Sequence, residues 1–187
     1  LLVLLAPRLI RTAFDGLTAG RLAMLSEGAA VCRPGPMNRG LEISSAAADA
    51  ATTREIKLVG VIGTGTMATG IIEVFAKSGL DVVYVARSDE KVAKVRAALE
   101  KSLDRAVSKG RLSEDDKATI LNRVCGTTAH EDLAKVDIVV EAIVEDLETK
   151  KELFRTLDRV CKPGAILATT TSSLSIDVLA AETARPA

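Results

Sequence analysis

The sequence predicts an α/β fold built on a doubly wound, mostly parallel sheet. Three observations predict it. Short apolar runs recur at 58–62, 82–86, 137–142 and 165–168, as expected of strands buried on both faces. Stretches with helical spacing separate them. A glycine turn, Gly63-Thr64-Gly65, directly follows the first run and opens the first of those helices.

The elements follow in order from residue 56. The run Leu58-Val59-Gly60-Val61-Ile62 is the first strand. After the turn, Met67, Ile71, Val74 and Phe75 recur at helical spacing, and Gly79 stops that helix. The second strand is 82–86. Ser88 is a good N-cap, with Asp89 and Glu90 in the first turn. The helix from 89 to about 109 puts Val92, Val95, Leu99, Leu103 and Ala106 on one face. Gly110 ends it. The Ser113-Glu114-Asp115-Asp116 run caps a shorter helix to about 122. A short strand at 124–128 and a helical turn at 131–134 come next. The strand 137–142, a helix from about 147 to 161, a Pro163-Gly164 stop, a strand at 165–168 and a last helix from Ser175 or Asp177 complete the order.

Residues 1–55 differ. Stretch 1–25 suggests a short helix or two, Arg33-Pro34-Gly35-Pro36 and Asn38-Arg39-Gly40 are breakers, and 44–53 is an Ala-rich linker. The expected organisation is therefore an N-terminal extension over 1–55, partly helical or disordered, and one domain over 56–187. The chain begins without Met, which suggests a fragment, a processed end or an unusual start.

Strand, glycine turn, helix and second strand form a unit of about thirty residues, the setting in which a G-x-G turn counts as a dinucleotide fingerprint. Gly63 permits the tight turn. Gly65 lacks a Cβ, so backbone can approach a pyrophosphate, and Ala68 lets the helix pack closely on the strand. Gly70 keeps the first turn thin. The unpaired amides that begin the helix, at Thr66 and Met67, suit a phosphate. The plain alternative is an ordinary βαβ turn. Parallel sheets bind ligands at the carboxyl ends of their strands. Three motifs converge on that edge: the glycine turn, 141–150, and the Thr/Ser run 169–173.

Lys+Arg and Asp+Glu balance at 25 each over 187 residues, and aromatics are 2%. Neither a nucleic-acid surface nor a base-stacking platform is expected. Cys32, Cys125 and Cys161 are widely spaced, read as reduced thiols of a cytoplasmic protein, and no metal motif is present. His130, the single histidine, reads as a surface residue. No apolar run approaches a membrane span of about 18 residues.

With these residues in hand, the chain resembles the NAD-binding domain of the 3-hydroxyacyl-CoA dehydrogenases, in particular the 3-hydroxybutyryl-CoA branch. VGVIGTGTMATGI at 59–71, LEKSLDRAVSKGRLS at 99–113, DIVVEAIVEDLETKKELF at 137–154 and LATTTSSLSI at 167–176 carry the resemblance. It implies oxidation of a 3-hydroxyacyl-CoA to the 3-ketoacyl-CoA, or the reverse, with NAD or NADP. It implies Glu145 and Lys150 as a cofactor-contacting pair. Ser172 takes the place of the catalytic serine on the substrate oxygen, and Ser102 and Lys109 those of CoA contacts. It implies a homodimer for the full-length family. The plain readings are a solvated helix start, a helix cap and an exposed helix face.

Three departures alter the expectation. The acidic residue expected after the second strand, which holds the adenosine ribose, is Ala86, followed by Arg87. Loss of the carboxylate beside a cation favours a 2′-phosphate, and so NADP. The family's Asn before the two serines is Thr170. The chain ends at Ala184-Arg185-Pro186-Ala187, before the family's catalytic histidine and its helical dimerisation domain. A secondary alcohol needs a base for its proton. The polypeptide is therefore expected to bind nucleotide, turn over little, and expose an apolar face. Two alternatives stand beside this: a nucleotide-binding module without chemistry, and a β-hydroxyacid or 6-phosphogluconate-type dehydrogenase.

Overall fold

The computed structural model describes residues 3–4 and 55–185. A six-stranded sheet has the order β1-β6-β5-β2-β3-β4. The strands are β1 (Val3–Leu4), β2 (Leu58–Ile62), β3 (Asp81–Val85), β4 (Val124–Thr127), β5 (Ile138–Glu141) and β6 (Ile166–Thr169). β2 to β6 are parallel, and β1 adds antiparallel to the outer edge of β6. Val3–Leu4 is strand, and the short helix or two suggested within 1–25 otherwise lies outside the described residues. The expectations for the rest of 1–54 lie outside the described residues.

The doubly wound α/β architecture is as expected, and two apolar layers show it. One face of the sheet is covered by α1 (Thr66–Lys77), α2 (Asp89–Ser108) and α3 (Glu114–Asn122), through Ile72, Leu99, Leu103 and Ile120. The other is covered by α4 (Leu147–Val160) and α5 (Ile176–Ala180), with the 3₁₀ turn His130–Leu133, through Phe154, Leu157, Leu179 and Leu133. The winding reverses between β2 and β5, so the turns after these two strands lie side by side.

α1 buries a different stripe from the one its spacing suggests. Ala68, Ile72 and Ala76 are buried, Ile71 and Phe75 partly so. Met67 and Val74 are 61% and 62% exposed. Small residues at 68 and 76 let the helix sit close on the sheet with Ile72 as its knob. On α2 the expected face holds: Val95, Leu99 and Leu103 are buried.

Local caps explain where helices start. Ser88, Ser113 and Asp146 accept hydrogen bonds from the amides of Lys91, Asp116 and Thr149. Asp137 sews the other end of the sheet, accepting from the amides of Lys57 and Leu58 at 2.9 and 3.0 Å and from Lys162 Nζ at 2.5 Å. Of the cysteines among the described residues, Cys161 is free and buried, as expected of a reduced thiol. Cys125 is disulfide-bonded, contrary to that expectation.

Candidate functional site

The site begins at Gly63. Its φ is +132°, and a Cβ there would lie 2.3 Å from the Ala142 carbonyl oxygen and 3.3 Å from the Ala68 Cβ. Only glycine satisfies both the backbone angle and the packing. Gly65 differs: its φ is −78°, and a Cβ would meet nothing within 4 Å. That open space lies in front of α1.

α1 starts without a cap. Gly65 supplies no side-chain acceptor, and the first turn holds no acidic residue. Thr69 N–H closes the first helical bond on Gly65 O. The amides of Thr66, Met67 and Ala68 donate to nothing among the described residues. Three free donors at the positive end of a twelve-residue helix form an anion cradle. The other three helices of comparable length each carry a side-chain cap and acidic first-turn residues.

The cradle opens into a cavity of about 920 Å³ at the carboxyl ends of β2, β3, β4 and β5. Gly63, Gly65, Thr66, Met67, Ala86 and Arg87 all line it, so six of the expected cofactor positions meet in one place. Lys91, Thr128, His130 and Glu152 line it too and were not foreseen. Thr128 and His130 follow β4. The predicted strand at 124–128 already pointed its carboxyl end at this edge, and that was the available signal. His130 is half-buried in the wall rather than a surface residue.

Glu145, Lys150 and Ser172 lie outside this cavity. They belong to a polar network behind the β5 and β6 ends. The β5–β6 register sets Glu141 opposite Thr169, and both are fully buried. Lys150, also fully buried, reaches Glu141 Oε2 at 2.7 Å and Oε1 at 3.0 Å, and Glu145 Oε2 at 3.2 Å. Glu141 also accepts from Ile143 N–H and Thr169 Oγ1, each at 2.6 Å. Lys150 therefore faces two carboxylates, not open space. The helix-start reading of this lysine as solvated fails because strand register encloses it.

Glu145 gathers the next loop. It accepts from Thr171 Oγ1 at 2.5 Å, from the amides of Ser172 and Ser173 at 3.1 and 3.4 Å, and from Ser173 Oγ at 3.1 Å. The Thr171 hydroxyl, the Ser172 amide and Lys150 hold its carboxyl down to about 2. Ser172 itself is exposed, and its hydroxyl makes no hydrogen bond among the described residues. Ser102 is half-buried on α2, Lys109 is the exposed C-cap of that helix, and neither lines the cavity.

The pattern described as "3-hydroxyacyl-CoA dehydrogenase, NAD binding domain" matches residues 58–187. The chain belongs to that family. Over 126 residues it is 47% identical to the 3-hydroxybutyryl-CoA dehydrogenase of Clostridioides difficile, covering 67% of this chain and 45% of the relative. Among solved structures it is similar to the 3-hydroxybutyryl-CoA dehydrogenase of Escherichia coli, with TM-score 0.70 and 38% identity over 71% of this chain and 28% of that one. It is also similar to the (S)-3-hydroxybutyryl-CoA dehydrogenase of Ralstonia eutropha, with TM-score 0.69 and 42% identity, over 71% of this chain and 47% of that one. The chain thus spans less than half the length of these relatives.

The residues present fit the family's NAD. Gly65 leaves the space that a Cβ would fill, and the free amides of α1 face it. No helix among the described residues is long and apolar enough to cross a membrane, and no group of three or more His, Cys, Asp or Glu there is placed to hold a metal.

Proposed function

We propose that this chain holds the nicotinamide cofactor for interconversion of a 3-hydroxyacyl-CoA and a 3-ketoacyl-CoA. The uncapped α1, opening on a cavity at the switch point of the sheet, is the observation that supports this most. A nicotinamide held here would supply the hydride acceptor for the carbinol carbon, or the hydride donor in the reverse direction. This chain's residues bind and orient. The amides of Thr66, Met67 and Ala68 hold the pyrophosphate, and Gly65 lets it approach. Ala86 and Arg87 face the adenosine half. Glu145 works indirectly: it pins Thr171, Ser172 and Ser173 so that the Ser172 hydroxyl is free to meet the substrate oxygen. Lys150 is a positioning residue beneath Glu145. Ser102 and Lys109, seven positions apart on α2, serve the CoA moiety.

A second reading, nucleotide binding without turnover, has its own support. The carboxylate nearest Ser172 is Glu145, held at about 2. A base so weak takes little of a hydroxyl proton at neutral pH.

Titrating the purified 187-residue chain with NADH, followed by nicotinamide fluorescence, tests the shared part. Saturable binding is expected, and no binding overturns both readings. Adding a 3-hydroxyacyl-CoA to the NAD-loaded chain separates them. NADH formation supports dehydrogenation by this chain, and none with intact binding supports the second reading.

A further inference from the structure

The adenosine end of the cavity has a charge pattern that a dinucleotide with a free ribose does not need. β3 ends at Val85, and the next residue, Ala86, is buried and lines the cavity. A carboxylate at this place would accept from the ribose hydroxyls. Ala86 can accept nothing, and its amide is already given to Thr127 O at 2.9 Å. Two cations follow within one turn. Arg87 and Lys91 are both exposed and both line the cavity. Neither forms an ion pair among the described residues. Other basic side chains do pair with acids, as Arg96 with Glu100 and Lys117 with Asp104; what marks Arg87 and Lys91 is their place in the cavity wall. Asp89 and Glu90 lie between the two cations in sequence but do not line the cavity. Its single acidic lining residue, Glu152, comes from α4.

Ser88 holds the geometry. Its hydroxyl accepts from Lys91 N–H at 3.4 Å and caps α2. That cap fixes Lys91 in the first turn, four positions on from Arg87, so both side chains leave the same corner. The α2 terminus is already capped, so its dipole is not the argument. The argument is two unpaired cations beside a missing carboxylate.

We propose that Arg87 and Lys91 form a subsite for the 2′-phosphate of a phosphorylated dinucleotide, so that this chain binds NADPH at least as tightly as NADH. The proposal rests on the dinucleotide reading above. Arg87 presents its planar guanidinium to two phosphate oxygens, and Lys91 contributes a point charge. Ala86 removes the repulsion that a carboxylate would raise against the phosphate.

Fluorescence titrations of the 187-residue chain with NADH and NADPH test it, alongside Arg87→Ala and Lys91→Ala. The dissociation constant for NADPH is expected to be no larger than that for NADH. Each substitution should weaken NADPH by about tenfold to a hundredfold and NADH by clearly less, with circular dichroism reporting that each variant is folded. Added salt should weaken NADPH binding more steeply than NADH binding. A larger dissociation constant for NADPH than for NADH overturns the subsite and leaves the dinucleotide site standing. Equal losses of both cofactors in the variants also overturn it. Binding of neither cofactor to the unsubstituted chain overturns the dinucleotide reading itself.

Discussion

Two neighbouring rims of this sheet treat their polar groups in opposite ways. At the β2–α1 turn, three backbone amides and the space before Gly65 are left open. At the β5–α4 turn, Asp146 caps the helix, Lys150 is enclosed by two carboxylates, and no buried side-chain nitrogen or oxygen among the described residues lacks a partner. The difference separates a surface that awaits an anion from one that supports it. Open donors cost stability unless water or ligand meets them. Enclosed charges confer rigidity, since each fixes the position of the next.

The largest test of that contrast is Lys150→Met. It leaves Glu141 buried without its cation, and urea denaturation should show a loss of about 3–5 kcal/mol. A loss within about 0.5 kcal/mol, the range of an ordinary surface change, would mean that Lys150 is not a strut.

The two glycines of the open rim sharpen the contrast next. Gly63→Ala forces a Cβ against the Ala142 carbonyl at an unfavourable φ, and should cost about 1–3 kcal/mol. Gly65→Ala meets nothing and should change stability by no more than about 0.5 kcal/mol. It should nonetheless weaken NADH binding, because the methyl enters the phosphate cradle. Unfolding curves and cofactor titrations on the same two variants read both quantities. Equal stability losses in the two would break the comparison.

The smallest effect is one of pH. Glu145 is lowered from 4.5 to about 2 in the folded chain. A depressed carboxyl stabilises the fold above its unfolded value and loses that contribution as pH falls towards the folded one. The stability difference between the natural chain and Glu145→Gln should therefore be steady above about 4.5 and shrink towards about 2. Hydrogen exchange at the Ser172 amide should quicken over the same window. A difference independent of pH would detach Glu145 from the Thr171–Ser173 loop.

Much of the open rim was legible in the sequence, and little of the enclosed one. Gly63, Gly65 and Ala68 act within one local unit, so their spacing was enough. Glu145 and Lys150 were recognised by resemblance, yet their surroundings were not foreseen. Lys150 is buried because Thr169 stands opposite Glu141 and because the chain turns back at Thr171. Thr169 and Thr171 are 19 and 21 positions away from Lys150, and no local pattern carries that information. The buried stripe of α1 was misread for a related reason. Met67 and Val74 are apolar, but closeness to the sheet selected Ala68 and Ala76 instead.

By itself the sequence determined the alternation of strand and helix, the glycine turn, the family and the missing carboxylate at Ala86. These follow from side-chain chemistry and short-range spacing, which a single chain displays directly. Only the tertiary structure decided which walls meet. It brought Lys91, Thr128 and His130 to the same cavity as the glycine turn, and it closed Lys150 between Glu141 and Glu145. The physical reason is that parallel strands join residues far apart in sequence, and their register determines which charges are paired and which are left for a ligand.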